Sequence, residues 1–170
     1  MTAPMHLVTR LAQLHQSQPA LRLYALVDGA QYSAQLGKPL TVHAGLYPLF
    51  AGTPDAALAH AGPWLVDVEL ADSALIAVLA ALELAAPAVT WLIAQQDLDG
   101  LAQLLQLLLD AELPDGRTAL LRFWDPRVLF NLAELLDPSQ RETFFAHIHE
   151  WHLMHKGQQT WIGRQLAQAQ

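Results

Sequence analysis

Short apolar runs bounded by turn residues alternate with longer stretches of helical periodicity, and this alternation constrains the fold more than any other feature of the sequence. The apolar runs lie at residues 21–27, 46–51, 64–68, 89–94 and 118–124. The helical patterns lie at residues 4–17, 53–60, 72–84, 97–109, 125–136 and 137–151. Strands that alternate with helices of this length are typical of crossover units. We therefore expect an α/β fold, one domain over residues 1–170 with a mostly parallel or mixed central sheet flanked by helices.

The end of the chain is predicted to be helical. A helical C-terminal segment would begin at Asp137-Pro138, where Asp can cap and Pro suits the first turn, and would continue through about Trp151. Residues 152–170 then form a Gln-rich C-terminal tail, which we expect to be a weak helix or frayed.

Composition narrows the range of functions. The chain is 53% hydrophobic and only 15% charged, which indicates a large core, an apolar binding surface, or both. Its net charge of −7 argues against a nucleic-acid partner, because nucleic-acid binding depends on Lys and Arg neutralising phosphates.

The expected cellular compartment follows from the absence of cysteine, of a secretory pattern and of a long uninterrupted apolar stretch. The chain has no cysteine, so it can form neither a disulfide nor a thiolate metal site. The first residues show no secretory pattern, and the longest apolar stretch, 74–89, is interrupted by Glu83 and Pro87. We expect a cytoplasmic protein without a membrane partner.

Four histidines near the C-terminus, His147, His149, His152 and His155, are the first candidate site. On a helix, the last three would follow an i, i+3 line and could bind zinc. No zincin motif is present and no further ligand is evident, so we favour an amphipathic helix and predict no metal site. Its inward side chains would be Phe144, Phe145, Ile148 and Trp151.

A pair of carboxylates, Asp67 and Glu69, is the second candidate. Two residues apart at a strand end, they could point to one face, as general acid–base chemistry requires. A solvated strand end is the favoured interpretation, and the sequence contains no nucleophile elbow or phosphate loop. We predict no catalytic residue and no cofactor, and keep a small metal-dependent or acid–base hydrolase as the alternative.

The segment at 123–129, Phe-Trp-Asp-Pro-Arg-Val-Leu, is the most informative. Asp125 can cap a helix whose first position is Pro126, and Arg127 can reach back to Asp125. A structural brace between strand and helix is favoured, and a polar anchor for a partner stays open.

At this segment the chain resembles the type VI secretion effector-adaptor family, also called Tap or Tec chaperones. The matching pieces occur in the family's order over about residues 21–151. They are LYALVDGA at 23–30, GPWLV at 62–66, WLI at 91–93 with the leucine helix after it, PDGR at 114–117, FWDPRVL at 123–129, LDPSQ at 136–140 and the phenylalanine pair at 144–145.

The resemblance implies a non-enzymatic adaptor that binds a toxic effector protein and helps load it onto the VgrG spike. An immunity protein that binds and blocks a toxin is the alternative within the same class of binding proteins. We expect truncation after Leu136 to abolish effector binding, and it could leave a folded α/β core.

Aromatic and arginine side chains are the usual anchors of protein interfaces, and they supply the candidate partner-binding residues. Trp64 and Trp91, on apolar strands, are expected in the core, whereas Trp151 and Trp161 have the best prospect of meeting a partner. The candidates are Trp124, Asp125, Arg127, Phe144, Phe145, Trp151 and Trp161.

Overall fold

The computed structural model describes residues 3–163 and 168–169. Its helices are α1 (Met5–His15), α2 (Gly29–Leu36), a 3₁₀ helix (Ala56–Ala61), α3 (Ser73–Ala85), α4 (Leu98–Gln106), α5 (Pro126–Leu135) and α6 (Pro138–Phe144). Its strands are β1 (Arg22–Asp28), β2 (Leu46–Pro48), β3 (Pro63–Asp67), β4 (Val89–Ala94), β5 (Asp110–Glu112), β6 (Thr118–Leu120), β7 (Glu150–His155), β8 (Gln158–Ile162) and β9 (Gln168–Ala169).

The main sheet is antiparallel, so the prediction of a mostly parallel or mixed sheet is wrong, although the α/β class holds. The strand order is β2-β3-β1-β4-β7-β8-β9, and every pair of neighbours is antiparallel. The alternation of strands and helices does reflect a crossover, because β3 and β4 both run antiparallel to β1 and therefore parallel to each other. β1 lies between them, so the two parallel strands never hydrogen-bond.

The connections between β1 and β3 show how the antiparallel order arises. From Asp28 the chain passes through α2 and enters the sheet again at Leu46, so β2 runs parallel to β1 and both are antiparallel to β3. From Pro48 the chain returns through the 3₁₀ helix to Pro63, which pairs with Asp28 at the end of β1. β3 therefore starts at the end where β1 finishes and lies between β1 and β2, so these two parallel strands do not pair with each other.

Helices cover both faces of the sheet. Alternate side chains of β1 divide between two cores, with Leu23, Ala25 and Val27 in one and Tyr24 and Leu26 in the other. The buried leucines of α1 and the apolar side chains of α3 belong to the first core. Those of α4 and α5 belong to the second. The sheet is therefore the middle of three layers, and its central strands are apolar on both sides. Trp64 and Trp91 are buried, as predicted.

Two predicted elements near the C-terminus differ in the structure. The helix predicted through Trp151 ends at Phe144, and β7 and β8 form an antiparallel hairpin that joins the sheet through β4. The strand predicted at 118–124 is only Thr118–Leu120, paired with β5 in a separate two-stranded hairpin. The tail at 152–170, expected to be a weak helix or frayed, instead contributes to β7, β8 and β9, so that expectation is wrong for the described residues. Its residues 164–167 and 170 lie outside the described part of the chain.

No helix in the described part of the chain combines the length and the apolar character needed to cross a membrane.

Candidate functional site

Three segments that are distant in sequence meet at the end of β1. They are Asp28-Gly29, Gly62-Pro63 and the residues around Asp125. The Gly29 N–H donates to the Gly62 carbonyl at 2.9 Å. A Cβ at Gly29 would collide with the carbonyl oxygens of His60 and Gly62, so only glycine allows the two backbones to approach this closely.

An aromatic cluster positions the third segment over the second core. Phe123 is fully buried and makes edge-to-face contacts with Trp124 and Trp151, with ring centroids 5.6 and 5.8 Å apart. Trp124 in turn contacts Phe50 edge-to-face at 5.7 Å. Edge-to-face packing holds aromatic rings in a defined geometry. The backbone at Asp125 is therefore held where the chain enters α5.

Two buried aspartates and two exposed arginines meet at this point, and we call Asp28, Arg122, Asp125 and Arg127 the Asp–Arg corner. The side chains of Asp28 and Asp125 are only 2% and 5% exposed, whereas those of Arg122 and Arg127 are 55% and 67% exposed. The acids thus lie beneath and the guanidinium groups lie at the surface.

Asp28 caps a helix and faces Arg122. Its Oδ1 accepts hydrogen bonds from the N–H groups of Ala30 and Gln31 at 3.0 and 3.1 Å, which caps α2. Its Oδ2 lies 3.5 Å from Nη2 of Arg122. Burial raises the pKa of Asp28 and outweighs the backbone N–H of Gln31 and the charge of Arg122, which lower it.

Asp125 caps α5 and holds Arg127 through two of its donors. The Arg127 N–H donates to Asp125 Oδ1 at 2.9 Å. The Nε and Nη2 of Arg127 donate to Oδ1 and Oδ2 at 3.0 and 2.8 Å. Burial would raise the pKa of Asp125, but the hydrogen bonds and charge of Arg127 outweigh it and the pKa is lowered. The carboxylate is ionised at neutral pH and accepts three hydrogen bonds from Arg127, as the sequence interpretation of a brace requires.

The seven residues predicted to bind a partner are spread over different environments. Trp124, Phe145 and Trp151 are buried in the second core, and Trp151 has no exposed surface in the single chain. Phe144 is partly buried against the same core. The prediction of partner contact stays untested for all seven.

Trp161 lies apart from the corner, in a groove between α1 and the β7–β8 hairpin. The groove has a volume of about 530 Å³ and includes His6, Arg10 and His152 in its lining. At its base Arg10 Nε donates to both oxygens of the buried Glu150, at 3.1 and 2.9 Å, and His152 Nε2 lies 2.8 Å from the same carboxylate. Trp161 and Phe144 therefore belong to different faces of the sheet.

The C-terminal histidines do not form one cluster. His152 and His155 lie on β7 and point to opposite faces, because His152 contacts Glu150 whereas His155 stacks on Phe130 of α5 at 3.5 Å. His147 is exposed in the turn before β7. Among the residues that the structure describes, no group of three or more His, Cys, Asp or Glu side chains is placed to hold a metal ion.

The acidic pair does converge, but onto an arginine. Arg22 Nη2 lies 2.6 Å from Asp67 Oδ2 and 3.7 Å from Glu69 Oε2. Asp67 Oδ1 also accepts from the N–H groups of Glu69 and Leu70. Both carboxylates are therefore arranged as ion-pair partners of Arg22.

Sequence reasoning missed Asp28 and Arg122 as members of the site. Asp28-Gly29 follows an apolar run, which is a turn signal, although an Asp at a strand end before a helix is also a capping signal. Arg122 adjoins the quoted segment at 123–129, but nothing local in the sequence indicates that it meets the end of β1.

A family model described as a domain of unknown function, DUF4123, matches residues 23–143. All four residues of the Asp–Arg corner fall inside that match, and the groove beside α1 falls outside it. No curated protein and no solved structure matches the chain.

Proposed function

This chain belongs to the DUF4123 family, and from that premise we propose that it is a non-enzymatic adaptor, a chaperone that binds a type VI secretion effector and helps to load it onto the VgrG spike. The resemblance of the ordered segments to effector adaptors supports this finer assignment. The pairing of each corner arginine with a buried aspartate is the observation that carries the proposal.

The Asp–Arg corner has the features of a binding surface. Arg is enriched among the residues that dominate protein interfaces, and a preorganised side chain loses less entropy when a partner docks. Arg127 is held by a carboxylate that is 5% exposed, while its own side chain is 67% exposed. The guanidinium group of Arg127 is therefore held in place by the buried Asp125 and remains accessible to an approaching protein.

The same contacts favour binding over acid–base catalysis. Asp125 is ionised and engaged by Arg127, and Asp67 is engaged by Arg22 and by two backbone N–H groups. A general base must be able to accept a proton from a substrate, and each of these carboxylates already accepts three hydrogen bonds, at least one of them from an arginine side chain. No observation among the described residues favours the hydrolase alternative.

The first experiment is a pull-down from the native bacterial lysate with this protein as bait, followed by mass spectrometry. We expect recovery of a toxic effector, a VgrG spike protein, or both. A bait unrelated in sequence but of similar net charge controls for nonspecific capture.

Deletion of the gene completes the test and separates an adaptor from an immunity protein. For an adaptor, we expect the effector to remain in the producing cell and the producer to survive. Poisoning of the producer would instead indicate an immunity protein. Normal effector delivery from the deletion strain, with no partner recovered, would contradict both binding functions.

A further inference from the structure

The Asp–Arg corner differs from an ordinary ion-pair cluster in which of its charges reach the solvent. Its two aspartates are almost completely buried, and its two arginine side chains are more than half exposed. The four formal charges cancel, but a molecule that approaches from outside meets guanidinium groups first. The corner is therefore a hydrogen-bond donor surface on a protein with a net charge of −7.

The arginines also retain donors. Arg127 uses its Nε and Nη2 on Asp125, and its Nη1 donates no hydrogen bond to any of the described residues. Arg122 approaches Asp28 at 3.5 Å, which is longer than the usual N–H···O distance of about 2.7–3.2 Å. A guanidinium group has five N–H donors, so Arg122 and Arg127 can still donate hydrogen bonds to a further planar acceptor group.

From this arrangement we propose that Arg122 and Arg127 form the recognition site for an acidic segment of the partner protein, whose Asp or Glu carboxylates they bind. This inference rests on the proposed adaptor function and names the chemistry of its partner. Carboxylates match the fork geometry of guanidinium groups and bind them through paired hydrogen bonds.

The charge of the whole chain favours an acidic protein segment over a nucleic acid. A phosphate backbone would extend beyond two arginines, and the chain has only nine Lys and Arg against sixteen Asp and Glu. The net charge of −7 disfavours an acidic segment over the protein as a whole, whereas the corner presents two exposed guanidinium groups to it. This difference in charge between the corner and the rest of the protein has a larger effect on where an acidic partner docks than on how tightly it binds.

A matched control exists within the chain. Arg117 donates to Asp115, two residues before it, through both its backbone N–H and its Nε, as Arg127 does with Asp125. Asp115, however, is 51% exposed, and the pair lies in the turn between β5 and β6. Arg117 therefore has the same local pairing without the buried carboxylate.

The direct test is a titration of the full chain with a synthetic hexaglutamate peptide, followed by NMR of the arginine Nε–Hε signals. We expect saturable shifts for Arg122 and Arg127 and none for Arg117. The double substitution Arg122→Ala/Arg127→Ala should lower the affinity at least tenfold, and Arg117→Ala should leave it unchanged. Equal shifts at all arginines, or undiminished affinity in the double variant, would overturn the proposal.

A second pair of substitutions guards against misfolding of the alanine variant. Arg122→Lys/Arg127→Lys keeps both charges but removes the paired donors. If the alanine variant lacks a native circular dichroism spectrum, the lysine variant decides, and we expect it to lose affinity several-fold. Unchanged affinity would overturn the role of the guanidinium groups.

Capture of the native partner separates this inference from the adaptor function. If wild-type protein recovers an effector and the double variant does not, both are supported. If the double variant recovers the effector equally well, the proposed role of the corner is overturned and the adaptor function stands. If wild-type protein recovers neither effector nor spike, the adaptor function fails, and the peptide titration alone decides whether the corner binds carboxylates.

Discussion

Two aspartates with the same local role differ in burial, and this difference should appear in stability. Asp125 caps α5 beneath Arg127, so Asp125→Ala should reduce the free energy of unfolding by about 1 kcal/mol through the lost cap. Asp115→Ala removes an exposed pair in a turn and should cost less than about 0.5 kcal/mol. Urea unfolding of both variants checks this. Unchanged unfolding of Asp125→Ala together with loss of the partner would make the corner a recognition site rather than a brace.

Glu83 on α3 gives a second prediction for a single residue. Burial raises its pKa from 4.5 to about 7, and the neighbouring Trp91 indole lowers it only in part. The folded protein holds this proton more tightly than the unfolded chain, so stability falls as pH rises from about 4.5 to about 7. Glu83→Gln should therefore stabilise the protein at pH 8 by on the order of 2 kcal/mol, after allowance for partial exposure.

Thermal unfolding at two pH values tests the Glu83 prediction. The gain from Glu83→Gln should disappear at pH 4, where the glutamate is protonated in both the folded and the unfolded state. An equal gain at pH 4 and pH 8 would mean that the substitution acts through packing and not through the proton.

At the scale of elements, α1 is attached to β7 through a buried carboxylate. Burial would raise the pKa of Glu150, but hydrogen bonds from His152 and Arg10 outweigh it and lower the pKa to about 2. The folded pKa lies below the unfolded value, so the interaction contributes stability above about pH 4.5 and loses it as pH falls towards 2.

Removal of Arg10 should loosen α1 in particular. Arg10→Ala leaves Glu150 with His152 and should cost about 1–2 kcal/mol, less than a fully buried pair because Arg10 is 37% exposed. Hydrogen exchange should become faster in α1 and β7 and stay unchanged in α4. Gln13→Ala, in the same helix without an ion pair, is the control. Uniform acceleration over the whole chain would contradict a local attachment.

The sequence predicted best those strands that are short, continuous apolar runs with clear boundaries. The β4 strand was predicted with its observed bounds, because its six residues are apolar or β-branched and buried on both faces. The β7 strand was mistaken for a helix because Phe144, Phe145, Ile148 and Trp151 also fit a helical stripe. Its own alternation of Glu150 and His152 with Trp151 and Leu153 has period two, which becomes evident only once a buried ion pair explains the polar positions.

At the scale of the whole molecule, β7 is an inner strand of the sheet, and this changes what we expect a truncation after Leu136 to leave folded. A chain that ends at Leu136 loses β7, which pairs with β4, and also loses Phe145 and Trp151 from the second core. We expect this truncate to lack a cooperative unfolding transition, not to keep a folded α/β core. A chain that ends at Gly163 retains β7 and β8 and should unfold cooperatively. Circular dichroism melts of both chains decide the point.

The strand order and the candidate site could each be predicted only in part from the sequence, and for the same reason. Local patterns predicted β1, β3 and β4 and the cap at Asp125, because caps and strand periods depend on neighbours in sequence. The antiparallel order, and the meeting of Asp28 with Arg122, depend on pairings between distant residues that a single sequence does not reveal. The site was therefore recognised at Asp125 and Arg127 and missed at its other half.

The pairing of β4 with β7 also bears on how the chain is made. On the ribosome, β4 is synthesised before α4, α5 and α6, and long before the strand that covers its free side. Until β7 emerges, the nascent protein presents an unpaired apolar edge, the kind of surface that draws aggregation or chaperone capture. Synthesis of β7 is thus a maturation step, and a translational stall before Glu150 would yield a product for proteolysis rather than a shorter working protein.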